Sequence, residues 1–188
     1  MKKELRKKFI IERNNLTEGY RNNASAEILS KLENNKLFMS AEKIFIFIGF
    51  NSEIPTLPFI NNWISKKQIF VPKIDNKIMN LVHITSIDDL APGHFGILEP
   101  NSCNYYTGSI DLVVTPSIVF DKNGYRLGYG KGYYDKYFST NKHKASIGLS
   151  YDKLLQEKIP TDQHDEKVDI IITEEKTLII NEKYNCNN

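Results

Sequence analysis

The stretch KIFIFIGF, residues 43–50, is apolar almost without interruption. A strand with one wet face alternates apolar and polar residues. An unbroken run belongs instead to a strand covered on both faces, as in the middle of a parallel sheet. QIFVPKI (68–74) reads as a second strand and IMNLVHI (78–84) as a third, nearer an edge. DLVVT (111–115) is another short buried strand, stopped by Pro116, and KASIGLS (144–150) and VDIIITEEKTLII (168–180) supply two or three more. IVFDKNGYRLG (118–128) reads as strand, turn at Asn123-Gly124 and return. Helical spacing separates these strands. Leu5, Phe9 and Ile10 share one side of a helix over residues 2–15, and Ala24, Ile28, Leu29 and Leu32 one face over 23–36. PTLPFINNWISKK (55–67) is a helix entered through Pro58, with Trp63 spaced into the core beside Phe59 and Ile60. Another helix opens at Tyr133–Tyr137, and residues 94–108 read as loop. Such alternation predicts an α/β fold: a single three-layer domain, residues 1–184, with a mostly parallel open sheet flanked by helices and a loose tail at 185–188.

Composition narrows the function classes. The 188 residues are 40% hydrophobic, enough for one domain with a proper core. Lysine and arginine number 25 against 23 acidic residues, a balance too even to call for a nucleic-acid partner. Cys103 and Cys186 stand alone, without a CxxC pair or a Cys/His cluster, so neither thiol redox chemistry nor structural zinc is indicated. The first residues, MKKELRKKFIIERNN, contain no apolar signal core, and IFIFIGF is too short to span a bilayer. The expectation is a cytoplasmic protein with no membrane partner, working as a monomer or at most a weak dimer.

Residues 124–138, GYRLGYGKGYYDKYF, carry the strongest chemical signal. Gly128, Gly130 and Gly132 remove side chains from a tight bend, which lets backbone N–H groups approach an anion just before a helix start. Lys131 adds a mobile positive charge, Arg126 a planar donor fork for phosphate oxygens, and Asp135 a carboxylate for a magnesium ion already held by phosphates. Of Tyr133 and Tyr134, one is expected to pack inward while the other lines the ligand. The ending Gly-Lys-Ser/Thr of a P-loop is missing, and the spacing is not that of a dinucleotide fingerprint. Taken alone, the same residues also suit a sharp loop that merely begins a helix.

FDKNGYRLGYGKGYYDKYF (120–138) resembles the signature of the 5-formyltetrahydrofolate cyclo-ligase family, the methenyltetrahydrofolate synthetases. KKELRKK, NSEIPTLPFI, VPKI, DDLAPGHFGILEP and IPTDQHDEKVDIIITE fall in the family's order, so the resemblance covers nearly the whole chain. It implies ATP and Mg²⁺ as cofactors and a small folate as substrate. Lys2 and Arg6, four apart on one helix face, would contact the ATP phosphates together with the 126–135 segment. Glu53 would accept hydrogen bonds from the pterin. Phe95 would stack on the folate, Met79 and one tyrosine, Tyr134, would line its pocket, and GILEP (96–100) would shape it. Asp169 would be a second carboxylate on the metal side. Two departures stand out: Ser117 where the family has glycine, and Leu154 where it often has glutamine.

The implied reaction turns 5-formyltetrahydrofolate into 5,10-methenyltetrahydrofolate. ATP phosphorylates the formyl oxygen, N10 attacks the activated carbon, and ADP and phosphate leave. Arg126 and Lys131 would be the catalytic residues, balancing charge on the moving phosphoryl group. A non-catalytic nucleotide or phosphate binder on the same scaffold is the alternative. RNA binding through the lysine-rich start and the tyrosine loop is a third reading, disfavoured by the small net charge.

Overall fold

The computed structural model describes residues 1–93 and 96–185. Helix α1 (Lys2–Asn14) leads into α2 (Glu18–Glu33) and the short α3 (Lys36–Ser40). Strand β1 (Lys43–Ile46), α4 (Leu57–Trp63), β2 (Gln68–Asp75) and β3 (Ile78–Ile84) follow. Two small ladders come next, β4 (Leu90–Pro92) on β5 (Leu98–Pro100), and β8 (Val119–Phe120) on β9 (Arg126–Leu127). Strands β6 (Tyr105–Tyr106), β7 (Ile110–Thr115), β10 (His143–Leu149), β11 (Ile170–Ile172) and β12 (Thr177–Ile179), with α5 (Tyr133–Thr140), complete the fold.

One eight-stranded sheet runs β12-β11-β10-β7-β1-β2-β3-β6. Its centre, from β11 to β2, is parallel, while β12, β3 and β6 are antiparallel additions at the edges. Side chains of β1 alternate between two cores. Ile44 and Ile46 face α2, α3 and α4, meeting Ile28, Leu32, Phe38 and Ile60. Phe45 faces the other way, joining Phe70, Val113 and Tyr137 of α5. This is why the run 43–48 needs no polar residue after Lys43: both faces are covered, in three layers as the alternation predicts.

Several elements depart from the sequence reading. Helix α2 begins five residues before the apolar spacing does, because Thr17 caps it by accepting from the Tyr20 amide at 3.2 Å. The loop predicted for 94–108 contains β5 and β6, both too short to show a periodicity. The chain end Cys186–Asn188, most of the predicted tail, lies outside the described residues.

In the parallel centre the order is second, first, third, fourth, fifth strand along the chain. The connections leaving β1 and β7 therefore diverge, and a crevice opens beyond their carboxyl ends. Residues 47–56 and 116–118 leave the sheet there.

Candidate active site

At that crevice lies a cavity of about 740 Å³. Its wall is drawn from distant parts of the chain: Lys2 and Arg6 of α1, Phe50 beyond β1, Ile74 of β2, Ile97 and Glu99 at β5, Pro116 and Ser117 beyond β7, residues 126–135, and Asp162 and Asp165. Every residue predicted for the phosphate side, Lys2, Arg6, Arg126, Gly128, Gly130, Lys131, Gly132, Tyr133, Tyr134 and Asp135, lines this one space. Both tyrosines do so, with Tyr134 the deeper, stacked on Phe45 at 5.7 Å between centroids.

The glycine loop owes its path to backbone freedom. Gly130 has φ +94° and Gly132 φ +65°, in the left-handed region that costs other residues energy. Gly132 precedes the first turn of α5, and a Cβ there would meet nothing within 4 Å, so its backbone faces open space. At Gly130 a Cβ would stand 3.2 Å from Arg6 Cζ. Arg6 approaches the bare loop closely and donates from Nε to the Gly128 carbonyl at 2.8 Å.

The cations are held differently. Lys2 reaches Asp165 at 2.5 Å and Asp162 at 2.7 Å. Burial alone would lower its pKa, but hydrogen bonds to the two aspartates outweigh that and raise it. Arg126 is buried, donating to Asp135 Oδ1 at 2.7 Å and to the Glu166 carbonyl at 2.8 Å. Burial lowers its pKa and the Asp135 charge opposes that. Its guanidinium also lies 4.8 Å from the Phe138 ring centroid. Lys131 is exposed, and its ammonium forms no hydrogen bond or ion pair among the described residues.

A sequence model of the 5-formyltetrahydrofolate cyclo-ligase family matches residues 1–174. The chain belongs to that family. A cyclo-ligase of Mus musculus is 30% identical over 157 residues, 73% of this chain and 76% of the relative. A probable cyclo-ligase of Caenorhabditis elegans is 29% identical over 169 residues, 81% and 82% of the two chains. The solved structure of 5,10-methenyltetrahydrofolate synthetase from Aquifex aeolicus superposes with a TM-score of 0.86 at 31% identity, covering 95% of this chain and 92% of that one.

Against the cyclo-ligase pattern, the folate-side residues are placed unevenly. Glu53 is buried, its carboxylate held by Tyr129 Oη at 2.8 Å, the Phe50 amide at 3.3 Å and Arg13 at 3.7 Å, so it stands behind the cavity wall formed by Phe50, Ser117 and Tyr129. Burial raises its pKa, and Arg13, Tyr129 and the Phe50 amide work against that. Met79 is half-buried and sits directly across the β2–β3 ladder from the cavity residue Ile74. Phe95 lies outside the described residues. Ile97 and Glu99 of the GILEP segment reach the cavity.

Asp169 is not brought to Asp135, which corrects the expectation of a paired metal side. Its Oδ2 accepts from Ser146 N at 2.8 Å and Ser146 Oγ at 3.0 Å, and its Oδ1 from Asn181 Nδ2 at 2.7 Å. It precedes β11, at the amino end of a parallel strand, whereas the crevice opens beyond carboxyl ends. No group of three or more His, Cys, Asp or Glu among the described residues forms a metal centre. The cyclo-ligase departures also find places. Ser117 does not have positive φ, which outside glycine is confined to Asn51, Asn76 and Lys77 among the described residues. Its hydroxyl donates within its own turn, to the Val119 carbonyl at 2.7 Å. Leu154 is buried in the main core, and the nearby Gln156 amide donates to the Leu154 carbonyl at 3.0 Å rather than toward the cavity.

Sequence reasoning missed Arg13, Tyr129 and Asp162. Asp165 was singled out with Asp169, four positions on, as part of a block closing the far side of the nucleotide site, and of the two it is Asp165 that lines the cavity. The signal for Arg13 was an arginine at the α1 position four after the buried Phe9, where the apolar stripe runs inward.

Proposed function

We propose that this chain converts 5-formyltetrahydrofolate into 5,10-methenyltetrahydrofolate with consumption of ATP. The observation that carries the reading is convergence: Lys2, Arg6, Arg126, Lys131 and the glycine backbone, scattered over 130 positions of a cyclo-ligase chain, face one cavity. Its volume lies within the range of about 300–1,000 Å³ common for small-molecule sites.

The formyl group on N5 is an amide, a poor electrophile with a poor leaving group. Transfer of the γ-phosphoryl group to its oxygen forms an O–P bond, breaks the bond to ADP and leaves a carbon open to N10. The N10–C bond then forms, the C–O bond to phosphate breaks, and N10 loses its proton. No step requires a protein nucleophile. The protein supplies placement and charge. Lys131, exposed and unpaired among the described residues, is free to follow the moving phosphoryl group. Arg126, locked by Asp135 and Glu166, presents a fixed charge at the cavity wall. Lys2 and Arg6 hold the remaining phosphates, Lys2 exchanging aspartate oxygens for phosphate oxygens. Glu53 accepts from the pterin N–H groups, with Tyr134 and Met79 on the folate side.

Mg²⁺ fits the donors present. Four cations are matched by four carboxylates, Glu99, Asp135, Asp162 and Asp165, among the described lining residues, so the wall adds no net charge against a triphosphate. Asp135 Oδ1 is occupied by Arg126 and the Glu166 amide, while Oδ2 has no hydrogen bond among the described residues and is the oxygen we assign to the ion. When bound, Mg²⁺ supplies neutralisation of phosphate charge.

The test is growth of the methenyl product's absorbance with 5-formyltetrahydrofolate, Mg²⁺ and ATP. Signal that appears only with ATP is expected. ATP binding without turnover would leave only a nucleotide binder on the same scaffold.

A further inference from the structure

Arg13 has no place in the reaction as described, yet it is among the most buried charges in the molecule, 4% exposed. Its guanidinium ties four segments together. It extends from α1, donates from Nε to Ser52 Oγ at 3.0 Å and from Nη1 to the Ser117 carbonyl at 3.3 Å, and donates from Nη2 to Tyr129 Oη at 2.7 Å. Nη1 also stands 3.7 Å from Glu53 Oε1, the atom to which Tyr129 donates at 2.8 Å. Ser52 Oγ in turn donates to Asn14 Oδ1 at 2.6 Å. The segments so joined are the two that leave the sheet at the crevice and the glycine loop that curls over it.

A buried arginine is expensive to desolvate and persists only when its donors are satisfied. Lysine carries the same charge on a single point and cannot span three separate acceptors as a planar fork does. A hydrophobic residue of similar length would fill this space more cheaply. The arrangement thus serves placement of the groups around it.

We propose that Arg13 is a positioning residue for the folate side: it fixes the Glu53 carboxylate and, through Tyr129, ties that carboxylate to the phosphate-binding glycine loop. This rests on the reading of Glu53 as the pterin acceptor. The groups facing Glu53 are Arg13 from α1, Tyr129 from the glycine loop, the Phe50 amide from its own loop and, through its charge, Tyr134 of α5. Burial raises the Glu53 pKa and Arg13 is the largest opposing influence. Without Arg13 the carboxyl keeps its proton to a higher pH, and a protonated Glu53 loses half its accepting capacity.

The experiment measures the dissociation constant of 5-formyltetrahydrofolate by calorimetry, without ATP, from about pH 5 to about pH 8, in the full chain. Glu53→Gln is the control. If it binds as wild type does, the reading of Glu53 fails, whatever Arg13 does. With that control impaired, Arg13→Met is expected to bind roughly tenfold more weakly at the acid end of that range, with the deficit shrinking as pH rises and Glu53 ionises. Arg13→Lys restores the charge but not the span, so it should keep the wild-type pH profile while binding about threefold more weakly throughout. A merely structural role predicts the wild-type pH profile in Arg13→Met as well, and that result overturns the proposal. Should Arg13→Met fail to fold, Arg13→Lys and Tyr129→Phe decide, and wild-type affinity in both overturns it. Absence of ATP-dependent turnover in the wild type would sink the proposed function separately, since the binding measurement does not use it.

Discussion

Lys131 and Arg126 carry the same charge in opposite settings, and their loss should read differently. Lys131 is exposed and unpaired among the described residues, so under the proposed mechanism Lys131→Ala removes its interaction with the transferring phosphoryl group and little else. Turnover is expected to fall about tenfold or more, with the melting temperature unchanged. Arg126 is buried against Asp135, and Arg126→Ala strands that carboxylate. The same kinetic loss should come with destabilisation of about 3 kcal/mol in chemical denaturation. Equal stability in the two variants would contradict the structure, and equal turnover to wild type would end both roles. Residue identity was legible along the glycine loop because bare backbone, cations and a carboxylate are crowded into fifteen consecutive positions. It was not legible for Arg13 or Tyr129, whose partners lie 39 to 116 positions away. Asp169 was misread for a related reason: an acid before an apolar run looks the same whichever end of the sheet that run begins from.

At the level of elements, α1 meets the glycine loop with little room to spare. Gly130→Ala would place a methyl 3.2 Å from Arg6 Cζ on a backbone with φ +94°. The loop or the arginine must shift. The expected result is a KM for ATP raised roughly tenfold, with the KM for folate nearly unchanged, and a stability loss of about 1 kcal/mol. A variant with both constants unaltered would show that this joint does not shape the phosphate side. Long elements were legible from their periodicity: α1, β2, β7, β10 and the α5 start all fall where the sequence puts them. Short ones were not. Helix α3 has five residues and β6 two, too little beyond a single period for the pattern to repeat and reveal them. The first turn of α2 was hidden because Glu18, Gly19 and Tyr20 present no apolar stripe, and its position is set by the Thr17 cap instead.

For the molecule as a whole, acid should be destabilising, by a few identifiable carboxyls. Amide donors from Thr85 and Ser86 hold Asp89 below its ordinary 3.8, and the hydrogen bond from Lys2 does the same for Asp162. A carboxyl depressed in the folded state stabilises the fold above its unfolded pKa, and that contribution vanishes as pH falls through the folded one. Glu53 acts in the opposite sense: raised above 4.5 by burial, it favours the fold while protonated and opposes it as pH rises through its own titration. The urea midpoint is therefore expected to drop below about pH 4, and to drop less in Lys2→Met, where Asp162 has lost its partner. A midpoint equal at pH 5 and pH 3 would refute this.

The reach of α1 has a further consequence, for synthesis. Arg6 holds a carbonyl 122 residues later and Lys2 a carboxylate 163 residues later. At about 5–20 residues per second, the helix leaves the ribosome roughly eight to thirty seconds before its last partner exists. Helix α1 therefore cannot complete its contacts, nor the chain its phosphate-side wall, until the 160s have emerged.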